Sequence, residues 1–473
     1  MMNNLQPYPK YKPSGIAWLG EIPQHWEVKR AKRIFKELSI KGYPNEPLLA
    51  STQTKGVVLK SKYENRTVVA QTNLESLKLV LPNNFVISLR SFQGGIELAY
   101  DKGIISPAYT ILKLEDGNNV GFFKYLLKSK EYINSLTLLV TGIREGQNID
   151  TQKFKETFLF KPSLSEQTAI ATFLDYKTAK IDRFIRKKKQ LIKLLNEQKA
   201  GIINDAVTKG VSYGRDRACP VSTTTTKPSG IEWLGDIPEH WEVRKLKYSV
   251  HLNKHRFFDN EESVYNKIAL ENIEGKTGRI LELNQDSFEG VGTIFKDGDV
   301  LFGKLRPYLA KVIAPNFEGS CVNEILVLTP DNETWDSEFL KNRMLSQEFI
   351  KIVDDSTYGS KMPRASWDFI GSLKISCPPL SEQTAIVAHI EAETAIINKT
   401  IATIEKEIVL VQEYKTALIA EAVTGKIDVR EYKIDKIDAE TLHTMSEYEN
   451  EWEEEMSLAA EDEADYNNQE IDK

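Results

Sequence analysis

A chain of 473 residues, 41% of them hydrophobic, has material for two to four ordinary domains with real cores. No run of about 18 apolar residues exists to cross a bilayer, and the polar, proline-bearing N-terminus lacks the apolar core of a signal peptide, so no membrane association and a cytoplasmic location are expected. The net charge of -6 is unevenly spread: residues 431–473 hold sixteen acidic side chains against three lysines, which leaves residues 1–430 at +7, a basic body compatible with a polyanionic partner and an acidic end expected to be solvated.

In chain order, Tyr11 to Val28 sets Pro13, Gly15, Gly20 and Pro23 among Trp18 and Trp26, the composition of an irregular cap with buried tryptophans and a structural His25. Residues 29–161 mix short strand patterns with one helix, and Asn84 to Phe92 reads as a strand. Over 163–209 the apolar positions Ile170, Leu174, Ile181, Phe184, Leu191 and Leu195 follow the three-four spacing of a long helix with one buried stripe, for which Ser165 is the expected N-cap. Residues 211–226, ending in four threonines, lack any apolar period and read as a linker.

The chain then starts again. Lys12-Pro13-Ser14-Gly15-Ile16 returns as Lys227-Pro228-Ser229-Gly230-Ile231, and Leu164-Ser165-Glu166-Gln167-Thr168-Ala169-Ile170 returns as Leu380-Ser381-Glu382-Gln383-Thr384-Ala385-Ile386, at offsets of 215 and 216. Between these markers Leu89-Arg90 matches Leu305-Arg306 and Gly103 matches Gly319. Two markers with one period mean one unit written twice. The second long helix carries its stripe at Ile386, Ile390, Ile397, Ile404, Val411 and Leu418. Residues 163–210 are net +5 and residues 379–428 net -4, so the two helices are expected to pair with each other, and the internal twofold makes that pairing antiparallel.

A search for chemistry returns no phosphate loop, no nucleotide-binding glycine motif and no hydrolase motif. Cys219, Cys321 and Cys377 are odd in number without CxxC pairing, and His251 and His255 lack a third ligand, so neither disulfide nor metal site is expected. The binding candidates are polar residues that differ between matching copies. In the first unit they are Arg90, Gln93, Arg144, Gln147 and Asn148, and in the second Lys304, Arg306, Tyr308, Lys361 and Arg364. Arginine and lysine reach guanine O6 and N7, amides reach adenine, and tyrosine offers a hydroxyl to phosphate. Solvated strand faces and turns show the same patterns, so spacing alone leaves both readings open.

The order WLGEIPQHWEV, variable region, PSLSEQTAI, then the same signatures again as WLGDIPEHWEV and PPLSEQTAI, resembles the specificity subunit of a type I restriction-modification system over about residues 8–430. The resemblance implies an α+β chain: two repeated α/β globular target recognition domains separated by two long helices that pair as an antiparallel coiled coil. It divides the sequence into a cap and first recognition domain (1–161), a central helix (162–210), a linker (211–226), the repeated cap and recognition domain (227–378), a distal helix (379–428) and an acidic tail (429–473). It also implies a non-enzymatic chain that binds double-stranded DNA, each domain reading one half of a bipartite, asymmetric target. Two DNA methyltransferase subunits and two motor-nuclease subunits would join it, bringing S-adenosylmethionine, ATP and magnesium, adenine-N6 methylation and ATP-dependent cleavage, while this chain carries no cofactor. The competing readings are a coiled-coil scaffold whose globular repeats bind protein, and the specificity subunit of a related modification system without a motor.

Overall fold

The computed structural model describes residues 5–16, 18–62, 73–89, 91–141, 148–211, 225–258, 266–281, 283, 291–357 and 362–434. They fall into two compact units, the first built from Met1–Lys187 and the stretch that begins at Glu407, the second from Lys188–Lys406.

In the first unit the strands Phe35–Leu38, Thr110–Leu114, Phe85–Ile87 and Glu97–Leu98 form an antiparallel sheet in that spatial order. In the second, Val250–Asn253, Ile325–Pro330, Val300–Gly303 and Val312–Ile313 repeat the order. A two-strand ribbon joins each cap to the segment that leads into a long helix: Glu27–Arg30 with Phe158–Lys161, and Glu242–Lys245 with Lys374–Cys377. Gly103 and Gly319 also play one role twice. A Cβ on either would lie 2.3 Å from the Pro47 carbonyl oxygen or 2.4 Å from that of Asn266, so only glycine lets the strands approach.

The long helices are Leu164–Lys209 and Leu380–Val423, 46 and 44 residues. The first starts two residues earlier than its serine pattern suggests. Ser163, not Ser165, caps it, its hydroxyl receiving the Glu166 N–H at 3.3 Å and its carbonyl the Gln167 N–H at 2.9 Å. Within the first unit the opening half of this helix lies against the closing stretch of the second: Lys415 Nζ reaches Asp182 at 2.6 Å, and Ile170 and Leu174 share a core with Leu418, Ala422 and Val423. Within the second unit Ile203, Ala206 and Val207 share a core with Ile386 and Ile390. Each partnership is antiparallel. The buried stripe departs from the expected one, since Phe184 and Leu191 are exposed while Thr178 and Ile185 are buried. A straight helix turns 3.6 residues per turn, so a heptad-spaced set drifts off the seam within a few turns.

The strand expected over Asn84 to Phe92 ends at Ile87, and Ser91–Gly94 forms a helical turn. The Ser91 hydroxyl accepts the Ser88 N–H at 2.8 Å, which bends the chain out of the sheet.

The repeated Glu-Gln pair is the hub of each unit. Glu166 is buried, and its carboxylate accepts from Tyr8 Oη at 2.6 Å and Trp26 Nε1 at 3.0 Å while His25 Nε2 stands at 2.9 Å. Glu382 holds Trp241 Nε1 at 3.1 Å and His240 Nε2 at 2.7 Å. Gln167 accepts the Asn119 N–H at 2.8 Å and donates to the Pro162 carbonyl at 2.8 Å. Gln383 does likewise with the Asp336 N–H at 2.9 Å and with the carbonyls of Thr334 and Pro378 at 2.8 and 2.9 Å. One glutamate therefore fastens the cap and one glutamine the globular domain to the start of each long helix. Trp26 and Trp241 are fully buried, and both histidines are structural.

Packing in the first unit continues past the expected start of the acidic tail. Gln6 and Asp428 form an antiparallel bridge, Val429 is buried, and the Tyr432 ring meets Phe173 edge-on at 4.8 Å. Apolar side chains at 427, 429 and 432 draw this stretch onto the core, whereas the residues from 435 onward lie outside the described set.

Burial pushes the Cys321 thiol up to about 12 and that of Cys377 up to about 11. In a Cys219→Ser background we expect neither to react with iodoacetamide at pH 8 in the native protein, where the thiolate fraction is about one in a thousand or less, and both to react in denaturant. Native alkylation, read by mass spectrometry, would contradict this burial.

Candidate nucleic-acid interface

The two separate loops singled out in the second unit are brought together. After strand Val300–Gly303 the chain leaves through Lys304-Leu305-Arg306, and this exit runs antiparallel to Pro363-Arg364-Ala365. The Ala365 N–H donates to the Lys304 carbonyl at 2.8 Å, the Arg306 N–H to the Pro363 carbonyl at 2.8 Å, and Leu305 bridges Arg364. Leu305 is buried and anchors the ribbon in the core beside Leu270 and Ile325. Lys304, Arg306 and Arg364 thus occupy one small ribbon although up to sixty residues separate them in sequence.

Two left-handed residues shape the exit. Arg306 has φ 50° and Ala310 φ 49°, and between them Pro307–Leu309 makes a single 3-10 turn. Non-glycine residues in this region carry a conformational cost of about 1–3 kcal/mol and concentrate at binding sites. The Tyr308 N–H donates to the Asp354 carboxylate, whose pKa burial raises against that donor. The period-two alternation of Lys304, Arg306 and Tyr308 therefore belongs to a turn held by helix Gln347–Asp355, not to a continuing strand. Lys361 lies outside the described residues.

Sequence reasoning missed Glu324. Its carboxylate takes Arg364 Nε and Nη2 side by side, both at 3.2 Å, and its carbonyl accepts the Lys304 N–H at 2.9 Å. Forty residues separate it from Arg364, and no local pattern announces the pairing.

In the first unit the matching segments are also neighbours, in a different form. The helical turn Ser91–Gly94 lies against strand Asn148–Ile149, which pairs with Val140–Thr141. Gln93 is exposed on that turn, and Asn148 is placed by its backbone pairing with Thr141. Arg90, Arg144 and Gln147 lie outside the described residues. A second residue that the sequence did not reveal holds this platform together: Lys128 Nζ donates to the carbonyls of Gln53 and Gly94 at 2.8 and 2.7 Å and to Glu97 Oε1 at 2.7 Å. Burial raises the Glu97 pKa against the pull of Lys128.

Residues 238–408 match the family described as the type I restriction modification DNA specificity domain. The chain is 25% identical to the type I restriction enzyme MjaVIII specificity subunit of Methanocaldococcus jannaschii over 86% of its own length and 94% of that subunit. It is 23% identical to the EcoDI specificity subunit of Escherichia coli, over 76% of this chain and 80% of that one. In fold it is similar to a chain from a solved structure concerned with complex assembly and conformational transition of the type I R-M system, with a TM-score of 0.57, 12% identity and coverage of 85% of this chain and 98% of that chain. Residues 238–408 thus match the type I restriction modification DNA specificity domain, and the chain is similar over most of its length to type I specificity subunits.

Proposed function

We propose that each unit reads one half of a bipartite, asymmetric double-stranded DNA target. Lys304, Arg306, Tyr308, Lys361 and Arg364 would contact one half-site, and Arg90, Gln93, Arg144, Gln147 and Asn148 the other. The observation that carries this reading is that the two units share the strand order of their main sheets and their hub residues while the matching segments differ in their polar residues in the sequence. Two copies of one scaffold with different reading groups suit two different half-sites, whereas two identical copies would demand a palindrome.

In the same reading the paired long helices set the spacer between half-sites and offer docking surface to two DNA methyltransferase subunits, with two motor-nuclease subunits joining the complex. S-adenosylmethionine, ATP and magnesium belong to those partners, and the chemistry is theirs. The test is to exchange residues 29–161 for the matching domain of a relative, co-express the chimera with the methyltransferase subunit, and map adenine methylation across the genome. We expect one half of the methylated motif to change and the other to persist. A change in both halves would sink the two-reader scheme.

A further inference from the structure

We propose that Arg364, held in plane by Glu324, reads one guanine in the half-site taken by the second unit, with Glu324 as its positioning residue. This rests on the reading of the ribbon as a DNA-binding face.

The donor inventory of the guanidinium carries the argument. Arginine has five N–H groups in a rigid fork. Glu324 occupies the side edge, with Nε on Oε2 and Nη2 on Oε1, both at 3.2 Å. What remains is the end edge, formed by Nη1 and the outer hydrogen of Nη2, and that fork matches the O6 and N7 acceptors of guanine in the major groove. Neither adenine nor a pyrimidine offers two acceptors at that spacing. The Arg364 side chain is 53% exposed and that of Glu324 29%, so the edge is open to a ligand while the carboxylate is partly shielded.

The backbone supplies the preorganisation. Arg364 bridges Leu305 and is flanked by two 2.8 Å hydrogen bonds to residues 304 and 306, and the Glu324 carbonyl takes the Lys304 N–H. Both members of the pair are thus tied to the same short exit, itself pinned in the core by Leu305. A carboxylate among Lys304, Arg306 and Arg364 also argues against a simple phosphate clamp, since it repels the phosphodiester that such a clamp would hold. The corresponding positions of the first unit carry Ala108 and Asn148, so the device exists in one unit only.

The experiment uses the full chain co-expressed with its methyltransferase subunit, carrying Arg364→Ala, Arg364→Lys or Glu324→Ala, with genome-wide adenine methylation as readout. For Arg364→Ala we expect one guanine of one half-site to become degenerate, with roughly 10- to 100-fold less discrimination there and every other position unchanged. Arg364→Lys keeps the charge and can still reach O6 or N7 but lacks the fork that Glu324 holds, so discrimination at that same guanine should fall by a smaller factor than in Arg364→Ala, whereas a pure phosphate contact would be restored with no loss of discrimination at any base. Glu324→Ala should relax the same position by a smaller factor. For wild-type protein on oligonucleotides, replacing that guanine with 7-deazaguanine should weaken binding, and the same replacement should leave Arg364→Ala unaffected. An unaltered motif, relaxation at a base other than guanine, or uniform weakening restored by lysine would each overturn the proposal while leaving bipartite reading intact. A wild-type complex that methylates no split motif would overturn both.

Discussion

Glu166→Ala is expected to destabilise the first unit by about 3–5 kcal/mol, because it removes one buried carboxylate and strands the donors aimed at it. Trp26 Nε1 and the Tyr8 hydroxyl both point at Oε1, and the side chain of Glu166 is only 2% exposed, so water has little room to replace it. Glu166→Gln keeps an oxygen for Tyr8 and Trp26 and gives up only the charged partner of His25, and about 1–2 kcal/mol is expected. The equivalent Glu382→Ala should cost less than Glu166→Ala, since the Glu382 side chain is 22% exposed and receives Trp241 and His240. Urea unfolding of the three variants, followed by tryptophan fluorescence, tests the order. Equal losses at 166 and 382 would show that the burial difference has no energetic weight.

The second large effect concerns the C-terminal return. Ending the chain after Thr424 removes the Gly425 carbonyl that accepts from Tyr11 Oη at 3.1 Å and the Asp428 N–H that donates to Gln6 at 2.8 Å. It also removes the buried side chains of Ile427 and Val429, each worth about 1.5–3 kcal/mol. The Arg430 guanidinium over the Tyr8 ring at 5.1 Å goes with them. We expect the first unit to lose roughly 5 kcal/mol and to become sensitive to protease between residues 5 and 30, with the second unit unaffected. A chain ended after Ile434 retains all of these contacts and should match the full-length protein. If both truncations behave alike, the return stretch is not part of the first unit's core.

The duplication, the two long helices and their antiparallel partnership were legible because identical letters recur at fixed offset and because charge and stripe agreed. The hub was half legible. Repetition marked Glu166 and Gln167 as important, but capping by Ser163 and the donors Tyr8 and Trp26 depend on how the cap folds back. The stripe failed at Phe184 and Leu191, where helical drift over several turns outweighs a heptad reading. In the second unit's ribbon, Lys304, Arg306 and Arg364 were singled out one by one from residue type, while their juxtaposition and the involvement of Glu324 arise from strand pairing across forty to sixty residues. Such pairing leaves no local period.

That the first unit is completed by residues beyond Glu407 sets an order on its synthesis. Residues 5–187 leave the ribosome with the hub glutamate in place but without Leu418, Ala422, Val423 and Val429, the apolar surface that closes their core. Roughly 220 further residues must be made first, a wait of about 10–45 s at ordinary elongation rates, during which the core face of residues 5–187 that they close stays uncovered. The second unit, whose share of the first long helix is translated before its own recognition domain, has every part of its core in hand once residue 406 emerges. The half that is made first is therefore the half that finishes last.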